Sequence, residues 1–373
     1  MKVFVAMDSF KGSLSSMAAG EAVKAAVLRL HEDHEVVVKP LADGGEGTVA
    51  ALSSGPDAET VELTVCGPLM ESVSARYCIL KKTNTAVIEM AAAAGITLLS
   101  ADQRNPMETT TYGVGQLIKD AIKRGCRSFI VGIGGSATND GGTGMLAALG
   151  YEFSDENNDP IAFGAKGLEH LHKIKTDRVL PELQECNFQI ACDVVNPLCG
   201  PQGCSAVYGP QKGATPDMIE KMDRWLMDYA RLTQADPDHP GAGAAGGLGF
   251  AFLAFTNAVL RSGIQIVMDE LDFETEIQKA DIVVTGEGRL DGQTVMGKAP
   301  AGVAGLAKKY NKKVIAFSGC VTPEAEACND YGIDAYFPIL RTVTTLKEAL
   351  NAENAYRNLE ATAYQVFRLI ESK

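Results

Sequence analysis

The chain has 373 residues, 46% hydrophobic and 22% charged, a globular composition that excludes extended disorder. Its length exceeds the ~100–200 residues of one typical domain, so two domains are expected. The 34 Lys and Arg stand against 47 Asp and Glu, a net charge of −13, which lacks the electrostatic footprint of a nucleic-acid-binding surface.

In chain order, Lys2–Met7 reads as a strand, Ser15–Leu30 as an amphipathic helix N-capped by Ser15, and Glu35–Pro40 as a second strand, a βαβ opening that implies a parallel sheet. Thr60–Val65, Val73–Leu80 and Thr85–Met90 are three strand-like runs with little helix between them, which suggests a separate, partly antiparallel unit. Thr109–Arg124 is helical, Ser128–Gly132 a buried strand, Gly142–Leu149 a helix, Asn187–Cys192 a strand and Asp217–Gln234 a long helix. Gly241–Leu260 lacks charge and has the length of a membrane span. However, five glycines fall within residues 241–249, so it reads as a glycine-rich loop entering a buried helix. Beyond Asp281 the βα rhythm returns with strands Asp281–Thr285 and Lys313–Ser318 and helices Ala301–Tyr310, Pro323–Tyr331 and Asn354–Glu371.

The expected fold class is therefore α/β, with two α/β domains. A doubly wound parallel-sheet domain is built from both termini, residues 1–62 plus 282–373, and a mixed α/β domain, residues 63–281, is inserted into it. The N-terminus does not read as a signal peptide, and nine cysteines without a CxxC pair indicate neither a disulfide framework nor a zinc ribbon. A reducing cytoplasm is the expected compartment.

In parallel α/β sheets ligands sit outside the carboxyl ends of the strands, so the residues after each strand carry the functional reading. Asp8-Ser9-Phe10-Lys11-Gly12-Ser13 places a carboxylate, a cation and hydroxyls ahead of a helix, where an anion is favoured. Asp43-Gly44-Gly45-Glu46 offers two carboxylates on a flexible loop, a donor set suited to Mg²⁺. Gly132–Gly142 contains GxGxxA (Gly132, Gly134, Ala137), a weak match to the dinucleotide fingerprint, and this keeps an NAD-dependent dehydrogenase as an alternative. The loop runs on through Ser136, Thr138, Asn139, Asp140 and Gly141, donors better suited to phosphate oxygens. Asp193 stands at a strand tip, where a general base could face a substrate hydroxyl, and Lys212 adds a cation on a nearby loop. Gly292–Ala299 resembles a phosphate loop but lacks the final hydroxyl, so a P-loop NTPase is not expected. Pro300 still places Lys298 at a helix N-terminus. His31, His34, His170 and His172 read as solvated surface histidines, and no GxSxG elbow marks a hydrolase.

Six blocks together, DSFKGS (Asp8–Ser13), ADGGEGT (Ala42–Thr48), IGGSATNDGG (Ile133–Gly142), DVVNPL (Asp193–Leu198), GPQKGA (Gly209–Ala214) and TGEGRLDGQTVMGK (Thr285–Lys298), resemble the type-1 glycerate kinases. The resemblance implies ATP- and Mg²⁺-dependent phosphorylation of D-glycerate by a two-domain α/β enzyme with its site in the cleft between the domains. Individual roles follow from the needs of phosphoryl transfer rather than from the family. Asp193 or Asp8 is the expected base, with Lys11 beside it in the reaction. Arg289, Lys11, Ser9 and Lys212 are candidates for holding glycerate. Gly134, Gly135, Ser136, Thr138, Asn139, Asp140 and Gly141, with Lys298 or Lys212 as counter-charge, are expected to hold ATP. Asp43, Glu46 and Asp291 are the expected Mg²⁺ ligands. The favoured product is 2-phosphoglycerate, with 3-phosphoglycerate as the lesser option. A non-catalytic sugar-acid binding protein is the remaining alternative. No nucleic acid or membrane partner is expected, and the oligomeric state stays open, a homodimer being one option.

Overall fold

The computed structural model describes every residue except 43–46, 54–56, 293, 295–297 and 373. In chain order its strands are β1 (Lys2–Met7), β2 (Glu35–Val38), β3 (Ala58–Cys66), β4 (Ser72–Leu80), β5 (Thr85–Glu89), β6 (Ser128–Gly132), β7 (Glu152–Ser154), β8 (Lys173–Lys175), β9 (Asn187–Ala191), β10 (Asn257–Arg261), β11 (Ile282–Leu290), β12 (Lys313–Val321) and β13 (Ala335–Pro338). The chain forms two compact units, Met1–Asp43 with Ile264–Lys373, and Gly44–Gly263. Both crossings fall earlier than the expected 62/63 and 281/282. The strand that begins at Ala58 pairs along its whole length with β4, and the segment from Ile264 packs its side chains into the first unit's core.

The first unit holds a five-stranded, wholly parallel sheet in the order β13-β12-β11-β1-β2. Its inner strand β1, between β11 and β2, is buried on both faces, as a sheet covered on both sides requires. Val3, Val5 and Met7 pack with the helices Ser16–Leu30 and Ala352–Glu371, whereas Phe4 and Ala6 pack with Phe273, Ile277, Val303 and Ala304 from the opposite layer. From β1 the chain winds outward to β2 on one side and to β11 on the other. The order therefore reverses between β1 and β11, and that reversal is where open α/β sheets bind ligands.

The second unit holds a six-stranded sheet, β10-β9-β6-β5-β4-β3. Strands β5, β6, β9 and β10 are parallel, and β4 and β3 extend the sheet antiparallel. The three strand-like runs expected to form a separate unit are thus one side of a larger mixed sheet. Two lengths also differ from the sequence reading. β11 and β12 run on to Leu290 and Val321 because they hydrogen-bond to each other past Thr285 and Ser318. Pro323–Asn329 is a 3₁₀ helix rather than an α-helix. Among the described residues no helix is long and apolar enough to cross a membrane.

Candidate active site

Each unit places expected site residues at the carboxyl edge of its own sheet. In the first unit, Asp8 follows β1 and its N–H donates to the Gly286 carbonyl on β11 at 2.8 Å, which sets it at the β1/β11 reversal. The Ser9 N–H donates to Asp8 Oδ1 at 2.7 Å. A methyl group on Gly288 would stand 3.4 Å from Phe10 Cα and 3.5 Å from Lys11 N, so the Asp8–Ser13 loop lies directly against β11. The Lys11 side chain is exposed.

Glu287 lies on the same stretch of β11 and is only 8% exposed. The Thr294 hydroxyl donates to its Oε1 at 2.7 Å, and Lys298 Nζ stands 3.6 Å from its Oε2. Burial pushes the Glu287 carboxyl above the usual carboxylate range, opposed by the Thr294 hydroxyl and the Lys298 ammonium. Lys298 also reaches Asp291 Oδ1 at 3.4 Å, and Arg289 Nε stands 3.5 Å from Asp291 Oδ2. As expected, Lys298 caps the helix Ala299–Lys309 with proline in its first turn. Its ammonium faces two carboxylates, so an incoming phosphate must share it with them. The sequence reading passed over Glu287 because it ended the strand at Thr285 and treated the following residues as loop. The signal was the Glu between two glycines in GEG.

In the second unit Gly134 and Gly135 lie exposed just past β6, whereas Ser136, Thr138, Asn139, Asp140 and Gly141 are buried. The Asp140 carboxylate accepts hydrogen bonds from Thr111 N at 2.8 Å, Thr111 Oγ1 at 2.9 Å and Gly142 N at 3.1 Å. Burial raises the Asp140 carboxyl, and these N–H and hydroxyl donors pull it back. The Gly141 N–H is held by the Gly246 carbonyl and the Ala137 N–H by the Ala94 carbonyl. Most of the donors expected to face phosphate are therefore turned inward, and Asp140 serves as the internal tie of the loop. Lys212, expected to meet substrate, is also buried. Its Nζ donates to the Thr138 carbonyl at 2.6 Å, and loss of water lowers its pKa to about 8.

Asp193 lies two residues past β9, is exposed, and accepts the Gly263 N–H at 3.1 Å. Glu89, at the end of β5, escaped the sequence reading. Its Oε1 accepts the N–H groups of Gly47 at 3.0 Å and Val49 at 2.9 Å, at the start of the short helix Thr48–Leu52 that lies earlier in the chain. Of the expected Mg²⁺ ligands, Asp43 and Glu46 lie outside the described residues, as does half of the near-phosphate-loop Gly292–Ala299, at 293 and 295–297. Asp291 is described. Among the described residues no three His, Cys, Asp or Glu side chains are grouped to hold a metal ion. His34 is not a solvated histidine: its side chain is 12% exposed and lies against Glu371.

A model of the glycerate kinase family matches residues 3–371. The chain is 44% identical to the glycerate kinase of Haemophilus influenzae over the full length of both proteins. The chain belongs to the glycerate kinase family. It is likewise 44% identical to the glycerate 2-kinase of Escherichia coli, across 97% of this chain and 98% of that protein. A crystal structure of a candidate glycerate kinase 2 from Salmonella typhimurium LT2 superposes with a TM-score of 0.91 at 45% identity, covering 100% of this chain and 98% of that one. The protein is thus a kinase, a phosphotransferase with an alcohol group as acceptor, and neither a dehydrogenase nor a non-catalytic binding protein. The GxGxxA match fails for a structural reason. The strand after the Thr143–Ala148 helix, β7, pairs with β8 in a separate two-stranded sheet instead of lying parallel to β6.

Proposed function

We propose that the kinase transfers the γ-phosphoryl group of ATP, taken as its Mg²⁺ complex, to the 2-hydroxyl of D-glycerate in the cytoplasm. The observation that carries this reading is the cluster at the β1/β11 reversal, in which Lys298 stands 3.6 Å from Glu287 and 3.4 Å from Asp291. Phosphoryl transfer is served mainly by positioning and charge neutralisation, and the cluster offers carboxylates and a cation in one place. Mg²⁺ supplies neutralisation of the phosphate oxygens when bound, and it needs only one or two protein carboxylates. Asp291 and Glu287 fit that oxygen donor set, and Asp43 and Glu46 belong to the same proposed set.

Arg289 and Lys11, both exposed, are the proposed partners of the glycerate carboxylate, with Ser9 beside them. The Gly134 and Gly135 N–H groups are proposed for the triphosphate, and either Asp8 or Asp193 for the proton of the attacking hydroxyl. A clamped carboxylate holds the adjacent C2 oxygen at a nearly fixed distance, while the C3 oxygen still rotates about the C2–C3 bond. Positioning therefore favours the 2-hydroxyl. The test couples the purified kinase, ATP, Mg²⁺ and D-glycerate to enolase and pyruvate kinase without phosphoglycerate mutase. Pyruvate should form at once. Pyruvate that appears only after mutase is added would reassign the product to 3-phosphoglycerate.

A further inference from the structure

Residues 90–111 connect β5 to the helix Tyr112–Lys123 at the carboxyl edge of the second unit's sheet, and the glycine loop follows the neighbouring parallel strand β6. Hydrogen bonds join the two segments on either side of Arg104 in the chain. The Ile96 N–H donates to the Gly135 carbonyl at 2.8 Å, and the Thr109 hydroxyl to the Ala137 carbonyl at 2.9 Å. Arg104 itself meets the turn that carries Lys212: a methyl group on Gly213 would stand 2.2 Å from the Arg104 carbonyl oxygen and 3.3 Å from its Cβ. Local ties fix the backbone on both sides. Gln103 closes a capping box with Ser100, and Asn105 Oδ1 accepts the Met107 N–H at 3.1 Å.

The Arg104 side chain is half-buried, and its guanidinium makes no hydrogen bond or ion pair among the described residues. Its Nε is shut off from water without a partner, whereas the terminal nitrogens Nη1 and Nη2 stay accessible. A guanidinium partly stripped of water and left unpaired is destabilising unless an anion meets it. No acid fills that place: Glu108, four residues on, is taken by Lys166. The two lysines expected to offset a triphosphate are committed as well, Lys212 to the Thr138 carbonyl and Lys298 to Glu287 and Asp291. In a chain of net charge −13, Arg104 is thus an uncommitted positive charge on a segment hydrogen-bonded to the loop proposed for phosphate. The fork of a guanidinium matches two phosphate oxygens at once.

We propose that Arg104 is a nucleotide-binding residue of this kinase, with Nη1 and Nη2 donating to oxygens of the β- or γ-phosphate of ATP. The assignment rests on the reading of Gly134 and Gly135 as the triphosphate-holding loop, and it adds the cation that Lys212, turned inward, does not provide. Backbone N–H groups orient phosphate oxygens but carry no full charge. A guanidinium supplies one and is not deprotonated in proteins, so the role of Arg104 is in phosphate affinity and not in proton transfer.

The test measures binding of Mg²⁺–ATP and of AMP to the full-length kinase by calorimetry, in wild type, Arg104→Met and Arg104→Lys, together with KM for ATP and for D-glycerate. In Arg104→Met the Kd for ATP should rise about 10–100-fold, the loss of a charge-assisted pair, while AMP affinity and the D-glycerate KM stay unchanged. Arg104→Lys keeps the charge but not the fork and should fall between. It carries the test if Arg104→Met fails to fold by circular dichroism. Equal weakening of ATP and AMP would mark a merely structural residue, and a rise in the D-glycerate KM alone would move Arg104 to the acceptor's carboxylate; either result overturns the proposal. Tight wild-type ATP binding left intact in both variants would overturn the role of Arg104 alone. Failure of wild type to bind ATP more tightly than AMP would overturn the triphosphate role of the loop and that of Arg104 together.

Discussion

Glu287 and Lys212 are both ionisable groups held away from water, yet their surroundings assign them different work. Glu287 is opposed by burial and supported by Thr294 and Lys298, at the edge where ligands of a parallel sheet gather. Glu287→Gln keeps the shape and the Thr294 hydrogen bond but removes a buried charge. It should leave Tm at pH 7 unchanged or slightly raised, because a carboxyl raised by burial opposes folding once it ionises. Turnover should fall by about 10²-fold or more. Tm by calorimetry and kcat on the same preparation check both halves, and near-wild-type kcat would remove Glu287 from the chemistry.

Lys212 carries its charge beneath the loop, with one hydrogen bond to the Thr138 carbonyl. Burial lowers its pKa from 10.5 to about 8. Between those values the unfolded chain binds the extra proton, so this group's contribution to stability rises with pH. Below about 8 both states are charged, and the full burial penalty opposes folding. The Tm of wild type minus that of Lys212→Met should therefore become more positive from pH 7.5 to pH 10. A constant difference across a pH series would show that Lys212 is not held in the way described.

The glycine-rich segments explain one another at the level of elements. Seven glycines fall within residues 132–150 and five within 241–249. The two segments pack backbone against backbone. A methyl group on Gly246 would lie 2.1 Å from the Thr138 carbonyl oxygen and 2.6 Å from Asn139 Cα, at a φ of +68°. Gly246→Ala should cost about 3 kcal/mol or more, combining left-handed strain with a clash neither backbone can relieve. Gly200 also has positive φ, +89°, but nothing within 4 Å of a methyl group, so Gly200→Ala should cost about 1 kcal/mol. Urea unfolding of both variants compares these costs, and equal losses would refute the close-packing account. The other element-level lesson concerns β11. Thr285 looked like a strand end because glycines follow it, but pairing with β12 carries the strand to Leu290. Cross-strand hydrogen bonding overrode local glycine content there.

At the scale of the whole molecule, the second unit is one continuous stretch of chain with a core of its own, running from Val61 to Phe252. A fragment spanning residues 44–263 should therefore unfold cooperatively when heated alone. Calorimetry on that fragment checks the point, and a broad transition without a heat-absorption peak would show that its core depends on the rest of the chain. Much of this organisation is legible in the sequence. Periodicity, caps and βα alternation mark the βα elements, because these are local effects of burial and hydrogen bonding. The glycine- and acid-rich blocks mark Asp8, Arg289, Asp291 and Lys298, since such residues cluster where parallel strands end. Three things needed the tertiary structure. Burial of Thr138–Gly141 depends on the distant Gly246 and Asp140's ties to Thr111. Burial of Lys212 depends on a loop 74 residues away. The placement of Glu287 depends on pairing between β11 and β12. Each is decided by a partner far along the chain, and residue type and spacing carry no information about which distant backbone arrives.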